Sequence, residues 1–208
     1  MNTNILFASG DLSAVLRSQV EKMKQAINNF DPTQLQKSDV NDLVTQFVAS
    51  ASVEPLELDL DRIKSEQRAT KVDVSHRFDY APWANAGPHE VDGIEVTVRV
   101  PFKGDPLLFR LRPSQFSLNP PHGAVVNREI ILAEAGVPQD AARIKADLER
   151  EFDGLKQHVN TSRNDVVRHN AALAGVALAT VEERRHRLSS MPDVASSFSF
   201  VKKTSGES

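Results

Sequence analysis

Alternating apolar and polar positions between residues 96 and 112 form the most regular pattern in this chain. Side chains two positions apart lie on the same face of a strand, so the pattern predicts a β-hairpin that turns at Gly104-Asp105-Pro106. Its apolar face carries Val96, Val98, Val100, Phe102, Leu107, Phe109 and Leu111. Its other face carries four cations: Arg99, Lys103, Arg110 and Arg112.

Before this hairpin, the spacing of apolar residues predicts two helices. The first begins after Ser9 or Asp11 and runs to about Asn29, because apolar residues recur there at three- and four-residue steps. The second begins at Ser38 or Asp39 and ends before Pro55.

The rest of the middle region shows strand patterns. LELDLD (56–61) alternates leucine with acids, and further strands are predicted over 70–78 and 125–132, with a long loop at 80–93. We therefore expect a mostly antiparallel meander of about five strands. Pro101 cannot donate a ladder hydrogen bond, so its strand is expected to lie at an edge or to end there.

Residues 138 to 189 show a helical pattern throughout. A near-heptad seam runs along it, formed by Leu148, Phe152, Leu155, Val159, Val166, Leu173 and Val176. We expect a break between His169 and Gly175 and self-association of the chain through this seam. Charged residues at Phe152 and Val159 should then abolish association.

These elements predict an α+β fold with two N-terminal helices, an antiparallel sheet of about five strands and a long C-terminal helical segment. The expected divisions are a helix-and-sheet domain at 1–137, the helical segment at 138–190 and a flexible tail at 191–208.

Composition narrows the classes of function. The 208 residues carry a formal net charge of −3, so attraction to nucleic acid would need a local basic patch. The absence of cysteine excludes disulfides, thiolate metal sites and cysteine nucleophiles. Neither a signal peptide nor a membrane-length apolar run is present, so a cytoplasmic protein with no membrane association is expected.

The four cations have two interpretations. They could bind an anion or an acidic protein surface, or they could be the solvated side of the sheet, opposite Glu57, Asp59 and Asp61 of LELDLD. No aromatic residue lies among them for stacking on bases, so nucleic acid is a less favoured partner. Trp83, in a proline-flanked loop, is either a cover over the core or an exposed anchor for a partner.

Signals for catalysis are weak. No histidine pair has metal-ligand spacing, no phosphate loop or nucleophile elbow is present, and Ser114 stands in no readable triad. We therefore expect no cofactor, no metal and no catalytic residue. The alternative is a divalent-metal hydrolase or nuclease that uses Asp92, Glu95 and Arg99.

The stretch VPFKGDPLLFRLRPSQFSLNPP, followed by a strand and a long helix ending in EERRHRL, resembles a domain of uncharacterised bacterial proteins. The resemblance covers residues 56 to 190 and rests on turn and strand residues. In such proteins the domain precedes a restriction-endonuclease-like or Toll/interleukin-receptor-like effector, which implies sensing or assembly in anti-phage defence. The chain stops at Ser208, where a linker would begin, so the resemblance implies either a separate effector or a longer natural chain.

The leading hypothesis is therefore a non-enzymatic binding module that forms homo-oligomers and acts as sensor or adaptor for an effector protein. Its expected binding residues are Arg99, Lys103, Arg110, Arg112 and Trp83.

Overall fold

The computed structural model describes residues 4–75, 89–115 and 119–192. The chain divides into two compact units, each formed by two stretches of sequence. Unit 1 consists of Met1–Ser18 and Val53–Ala171, and unit 2 of Gln19–Ser52 and Ala172–Ser208.

The three helices near the N-terminus begin at aspartate caps. The helices are α1 (Leu12–Asn29), α2 (Pro32–Lys37) and α3 (Val40–Ala51). Asp11, Asp31 and Asp39 each accept a hydrogen bond from a backbone N–H in the first turn that follows. Both predicted helices are confirmed as α1 and α3. The short α2 was missed, although Asp31-Pro32 is a typical cap followed by a first-turn proline.

Eight strands are described. They are β1 (Asn4–Ile5), β2 (Gly10–Asp11), β3 (Glu57–Leu58), β4 (Lys64–Asp73), β5 (Glu90–Lys103), β6 (Leu111–Arg112), β7 (His122–Val126) and β8 (Glu129–Gly136). Six of them form one sheet in the order β1-β7-β8-β5-β3, with β4 also paired to β5, and all of these pairings are antiparallel. The remaining two, β2 and β6, form a short parallel pair. The predicted α+β fold with an antiparallel sheet is confirmed.

The core of unit 1 lies against one face of this sheet. Val100 and Phe102 of β5 and Ile130 and Leu132 of β8 are buried there together with apolar residues of the long C-terminal helix. Val100 and Phe102 therefore face the core, and Arg99 and Lys103 lie on the opposite face of the strand, as the alternation predicted.

The second arm of the predicted hairpin does not exist. Pro106–Arg110 form a 3-10 helix, in which Leu108 and Phe109 are buried while Leu107 is 60% exposed. Asp105 caps this turn by accepting the N–H of Leu107. An Asp-Pro pair favours the start of a helical turn, and this local preference overrides the period-two pattern.

Two other strand predictions need correction. In LELDLD only Glu57–Leu58 pair with β5, and a 3-10 turn at Leu60–Arg62 follows them. The single strand predicted over 125–132 is a hairpin of β7 and β8, because Asn127 and Arg128 adopt positive φ angles and turn the chain.

Pro101 lies within the central strand β5, so the prediction of an edge or a strand end there was wrong. Its carbonyl accepts the N–H of Asp59 on the β3 side, so its missing N–H also belongs to that side. Pairing with β4 ends at Lys64 opposite Arg99, and pairing with β3 begins at Leu58 opposite Phe102. Pro101 therefore lies between the part of β5 that pairs with β4 and the part that pairs with β3.

The C-terminal helix α4 (Ala141–Ser189) is continuous, so the predicted break between His169 and Gly175 was wrong. Asn170 lies at the expected break, and its side-chain amide both accepts from the N–H and donates to the carbonyl of Val53. The polar residue in the seam thus binds another segment of unit 1 while the helix continues.

The core of unit 2 combines the second half of α1 with α2, α3 and the C-terminal part of α4. Its fully or nearly fully buried residues include Met23, Ile27, Leu35, Phe47 and Leu173. Among the described residues, no helix has both the length and the apolar composition needed to cross a membrane.

Candidate functional site

The four predicted cations do not share one face. Arg99 and Lys103 lie on β5, Arg110 ends the 3-10 helix, and Arg112 lies on β6. The predicted basic face depended on the second hairpin arm, and it is lost with that arm.

Arg99 and Lys103 have acids beside them. The Arg99 guanidinium lies 3.9 Å from the Glu66 carboxylate and 3.7 Å from the Glu129 carboxylate. Lys103 lies opposite Glu57 in the β3–β5 register, as the interpretation of a solvated face required. The acids beside Arg99 belong to β4 and β8, however, and not to LELDLD.

The carboxylates of the metal-hydrolase alternative are not brought together. Asp92 and Glu95 are three positions apart on one strand and therefore point to opposite faces. The Asp92 carboxylate lies 2.6 Å from the Lys71 Nζ, and the hydrogen bond from that lysine lowers the pKa of Asp92. Glu95 lies 2.6 Å from Arg68. Among the described residues, no group of three or more His, Asp or Glu side chains is arranged to hold a metal ion.

The seam predicted for self-association packs inside the chain. Leu148, Leu155, Val159 and Val166 belong to the core of unit 1, and Leu173 belongs to that of unit 2. Phe152 and Val176 are partly buried against these same cores. The heptad-like spacing thus reflects packing within the chain for most of these side chains.

Two other candidates have different outcomes. Trp83 lies outside the described residues. Ser114 donates from its N–H and its hydroxyl to the Asp165 carboxylate, at 2.8 and 2.7 Å. These bonds join the segment after β6 to α4, which is a structural role.

An open cleft at the N-terminal end of unit 1 combines exposed apolar residues with one of the predicted cations. We call it the N-terminal cleft. Its volume is about 520 Å³, and it is lined by Asn4, Ile5, Leu6, Ser9, Pro106, Leu107, Phe109, Arg110, Gly123 and Val125. Ile5 is 51% exposed and Leu107 60% exposed, and Arg110 is also exposed.

The chain that forms this cleft is held by backbone hydrogen bonds. The N–H groups of Leu6, Phe7 and Ser9 donate to the carbonyls of Pro121, Phe109 and Arg110. Phe7 adopts a φ of 57°, a conformation rare for a bulky residue, and this turns the segment toward β2. The cleft therefore has a fixed backbone on two sides.

Aromatic packing supports the cleft from below. Phe7 and Phe109 have ring centroids 5.5 Å apart, and Phe109 packs edge-on against Phe102 at 4.7 Å. Phe7 also stacks on the buried His158 ring at 5.3 Å. The His158 Nδ1 lies 2.8 Å from the Gly154 carbonyl oxygen, and since a carbonyl only accepts, Nδ1 is the donor in this bond. Phe109 is thus a buried, aromatic-packed base beneath the exposed Leu107 and Arg110.

Sequence reasoning missed most of this cleft. Alternation predicts a buried Leu107, whereas its side chain is 60% exposed at the cleft. The useful signal was Gly104-Asp105-Pro106, because a capped helical turn there points Leu107 outward.

Comparisons of this chain with protein-family models, with curated proteins and with solved structures found no match. The function of the chain must therefore be argued from its own geometry.

Proposed function

We propose that this chain is a non-enzymatic binding module and that the N-terminal cleft is its partner-binding site. The observation that carries the proposal is the exposure of Ile5 and Leu107 beside Arg110 on a buried aromatic base. Large apolar side chains that stay exposed next to a cation are typical of binding surfaces.

The chemistry of the cleft defines the partner. Ile5, Leu107 and Val125 offer apolar contacts, and Arg110 offers a planar cation that pairs with carboxylates. The fitting partner is a protein segment that presents an apolar side chain next to an aspartate or glutamate. Since the backbone of the cleft is already ordered, such a segment would bind without a large ordering cost in this chain.

In this proposal the chain acts in the cytoplasm as sensor or adaptor for a separate effector protein. The bacterial defence role implied by the sequence resemblance supports that assignment. The Arg99 guanidinium lies beside two carboxylates, and Asp92 is paired with Lys71. Neither arrangement gives support to the nuclease or the nucleic-acid alternative.

The experiment that tests the proposal begins with recovery of the tagged protein from its native cells and identification of what accompanies it. The binding of the purified partner is then measured by calorimetry for the wild type and for Leu107→Glu and Arg110→Glu. Each substitution should weaken binding by about tenfold or more, because it places an acid against the acidic partner.

The matched control is Val167→Glu, which changes a residue that is 49% exposed on α4 and outside the cleft. It should bind like the wild type. Equal binding by the Leu107 variant and the wild type would refute the assignment of the cleft. Recovery of nucleic acid that salt releases, in place of a protein, would refute the proposed class of partner.

A further inference from the structure

Strand β4 (Lys64–Asp73) is exposed on both faces along nearly its whole length. Ten of its residues pair with β5 without a bulge, and within the described part of the chain it has no other strand partner. It contains neither proline nor glycine, so only its charged side chains protect this edge from further pairing.

The backbone groups that face the open edge can be identified. The N–H of Val74 donates to the carbonyl of His89, which places even-numbered residues of β4 in hydrogen bonds with β5. In an antiparallel ladder the backbone groups of successive residues point to opposite sides. The N–H and carbonyl groups of Ser65, Gln67 and Ala69 therefore point away from β5.

We propose that a second copy of this chain binds at this edge, with the two β4 strands antiparallel about a twofold axis at Gln67. Such an axis runs perpendicular to the sheet and keeps corresponding faces on the same side. Gln67 then opposes Gln67 of the second copy, and Ser65 opposes Ala69. About six backbone hydrogen bonds would join the copies.

The charged side chains of β4 favour this register over the two adjacent registers. Centred on Gln67, the pairing sets Glu66 opposite Arg68 of the second copy, and the twofold axis repeats that pair. If the twofold axis lay at Glu66, Glu66 of one copy would lie opposite Glu66 of the other. If it lay at Arg68, the two Arg68 residues would lie opposite each other. Like charges directly opposite each other destabilise a sheet, so both neighbouring registers are disfavoured.

The side chains do not obstruct this arrangement. The Arg68 guanidinium lies 2.6 Å from the Glu95 carboxylate, and the Glu66 carboxylate lies 3.9 Å from the Arg99 guanidinium. These side chains therefore project from one face of the sheet, and they would share that face with the second copy. On the other face Ser65 and Ala69 are small. The contact is polar and narrow, so we expect association that depends on protein concentration.

The test compares Gln67→Pro with Gln67→Ala by sedimentation velocity over a range of concentrations. Proline removes the outward N–H, whereas alanine keeps it, and neither disturbs a hydrogen bond to β5. The wild type and Gln67→Ala should reach the mass of two chains, and Gln67→Pro should remain a single chain. Ala69→Pro should act like Gln67→Pro, and circular dichroism should confirm that both variants fold.

A wild type that stays a single chain at all concentrations would overturn the inference. So would a folded Gln67→Pro variant that still reaches the mass of two chains. The inference is independent of the N-terminal cleft, because Leu107→Glu should reach the mass of two chains even if it no longer binds its partner.

Discussion

Arg184 is buried in unit 2, where its guanidinium binds backbone carbonyls. Its guanidinium donates to the carbonyls of Ile27 and Phe30, where α1 ends. Arg185 donates to the carbonyls of Leu35 and Ser38, at the end of α2, at 2.8 and 2.6 Å. Two consecutive arginines thus satisfy the terminal carbonyls of two helices. The arginine-rich end of α4 therefore has a structural role.

Arg184→Ala should lower the free energy of unfolding by about 2–3 kcal/mol, because it leaves buried carbonyls without a donor. Arg187→Ala is the matched control, since Arg187 donates to Asn28 at an exposed site, and it should cost less than about 0.5 kcal/mol. Urea denaturation of both variants measures the difference. Equal losses for the two variants would contradict the capping role.

Glu134 makes a pH-dependent contribution to stability. Burial raises the pKa of its carboxyl group above the ordinary 4.5, and the nearby carboxylates of Asp147 and Glu151 raise that pKa further. The folded state therefore holds this proton more tightly than the unfolded state does. The contribution of this carboxyl group to stability is therefore full below the unfolded pKa and is lost as pH rises through the raised folded pKa.

Glu134→Gln should accordingly raise the thermal midpoint near pH 7 relative to the wild type. Below about pH 4 the two proteins should differ little, because the carboxyl group is protonated in both states. Glu149→Gln, which changes an exposed acid of α4, is the control and should show a smaller change near pH 7. A wild type more stable than Glu134→Gln at neutral pH would contradict this account.

At the scale of elements, the apolar stripe of α4 belongs to the cores of this chain. Val159 is 5% exposed in the core of unit 1, so Val159→Asp should lower the free energy of unfolding by more than about 3 kcal/mol. Val167→Asp, on the same helix at a position 49% exposed, should cost less than about 1 kcal/mol. Chemical denaturation distinguishes these expectations. If Val159→Asp were as stable as the wild type but no longer associated with a second copy, the seam would be an interface between copies and not part of the core.

The turn before the 3-10 helix is built from residues with local structural roles. Gly104 has a φ of 101°, and a Cβ there would lie 2.3 Å from the Pro55 carbonyl oxygen. Asp105 caps the turn, Pro106 begins it, and Phe109 is buried at its end. These residues form a corner that holds Leu107 and Arg110 at the cleft.

At the scale of the whole molecule, each compact unit is assembled from two distant stretches of sequence. A boundary drawn along the sequence cannot describe such units, because α1 and α4 each contribute residues to both of them. The division predicted at residue 137 rests on a change in secondary structure along the sequence.

The sequence by itself determined the elements whose signals are local. Aspartate caps and three- to four-residue spacing located α1 and α3, and a near-heptad seam located α4. Alternation located β5 with the correct face for Val100 and Phe102. The α+β class follows from that order of elements. The sequence also predicted a solvated face that includes Glu57, because leucines and acids alternate there.

Only the tertiary structure decided which surfaces are buried and which charges meet. An apolar seam has the same spacing whether it packs within the chain or against a second copy, so the burial of Val159 could not be read from periodicity. Arg99 meets Glu66 and Glu129 because β5 lies between β4 and β8, and strand order is a long-range property. The N-terminal cleft joins residues 4–9 to residues 106–110, which no local pattern connects, and the open edge of β4 exists because no described strand pairs beyond it.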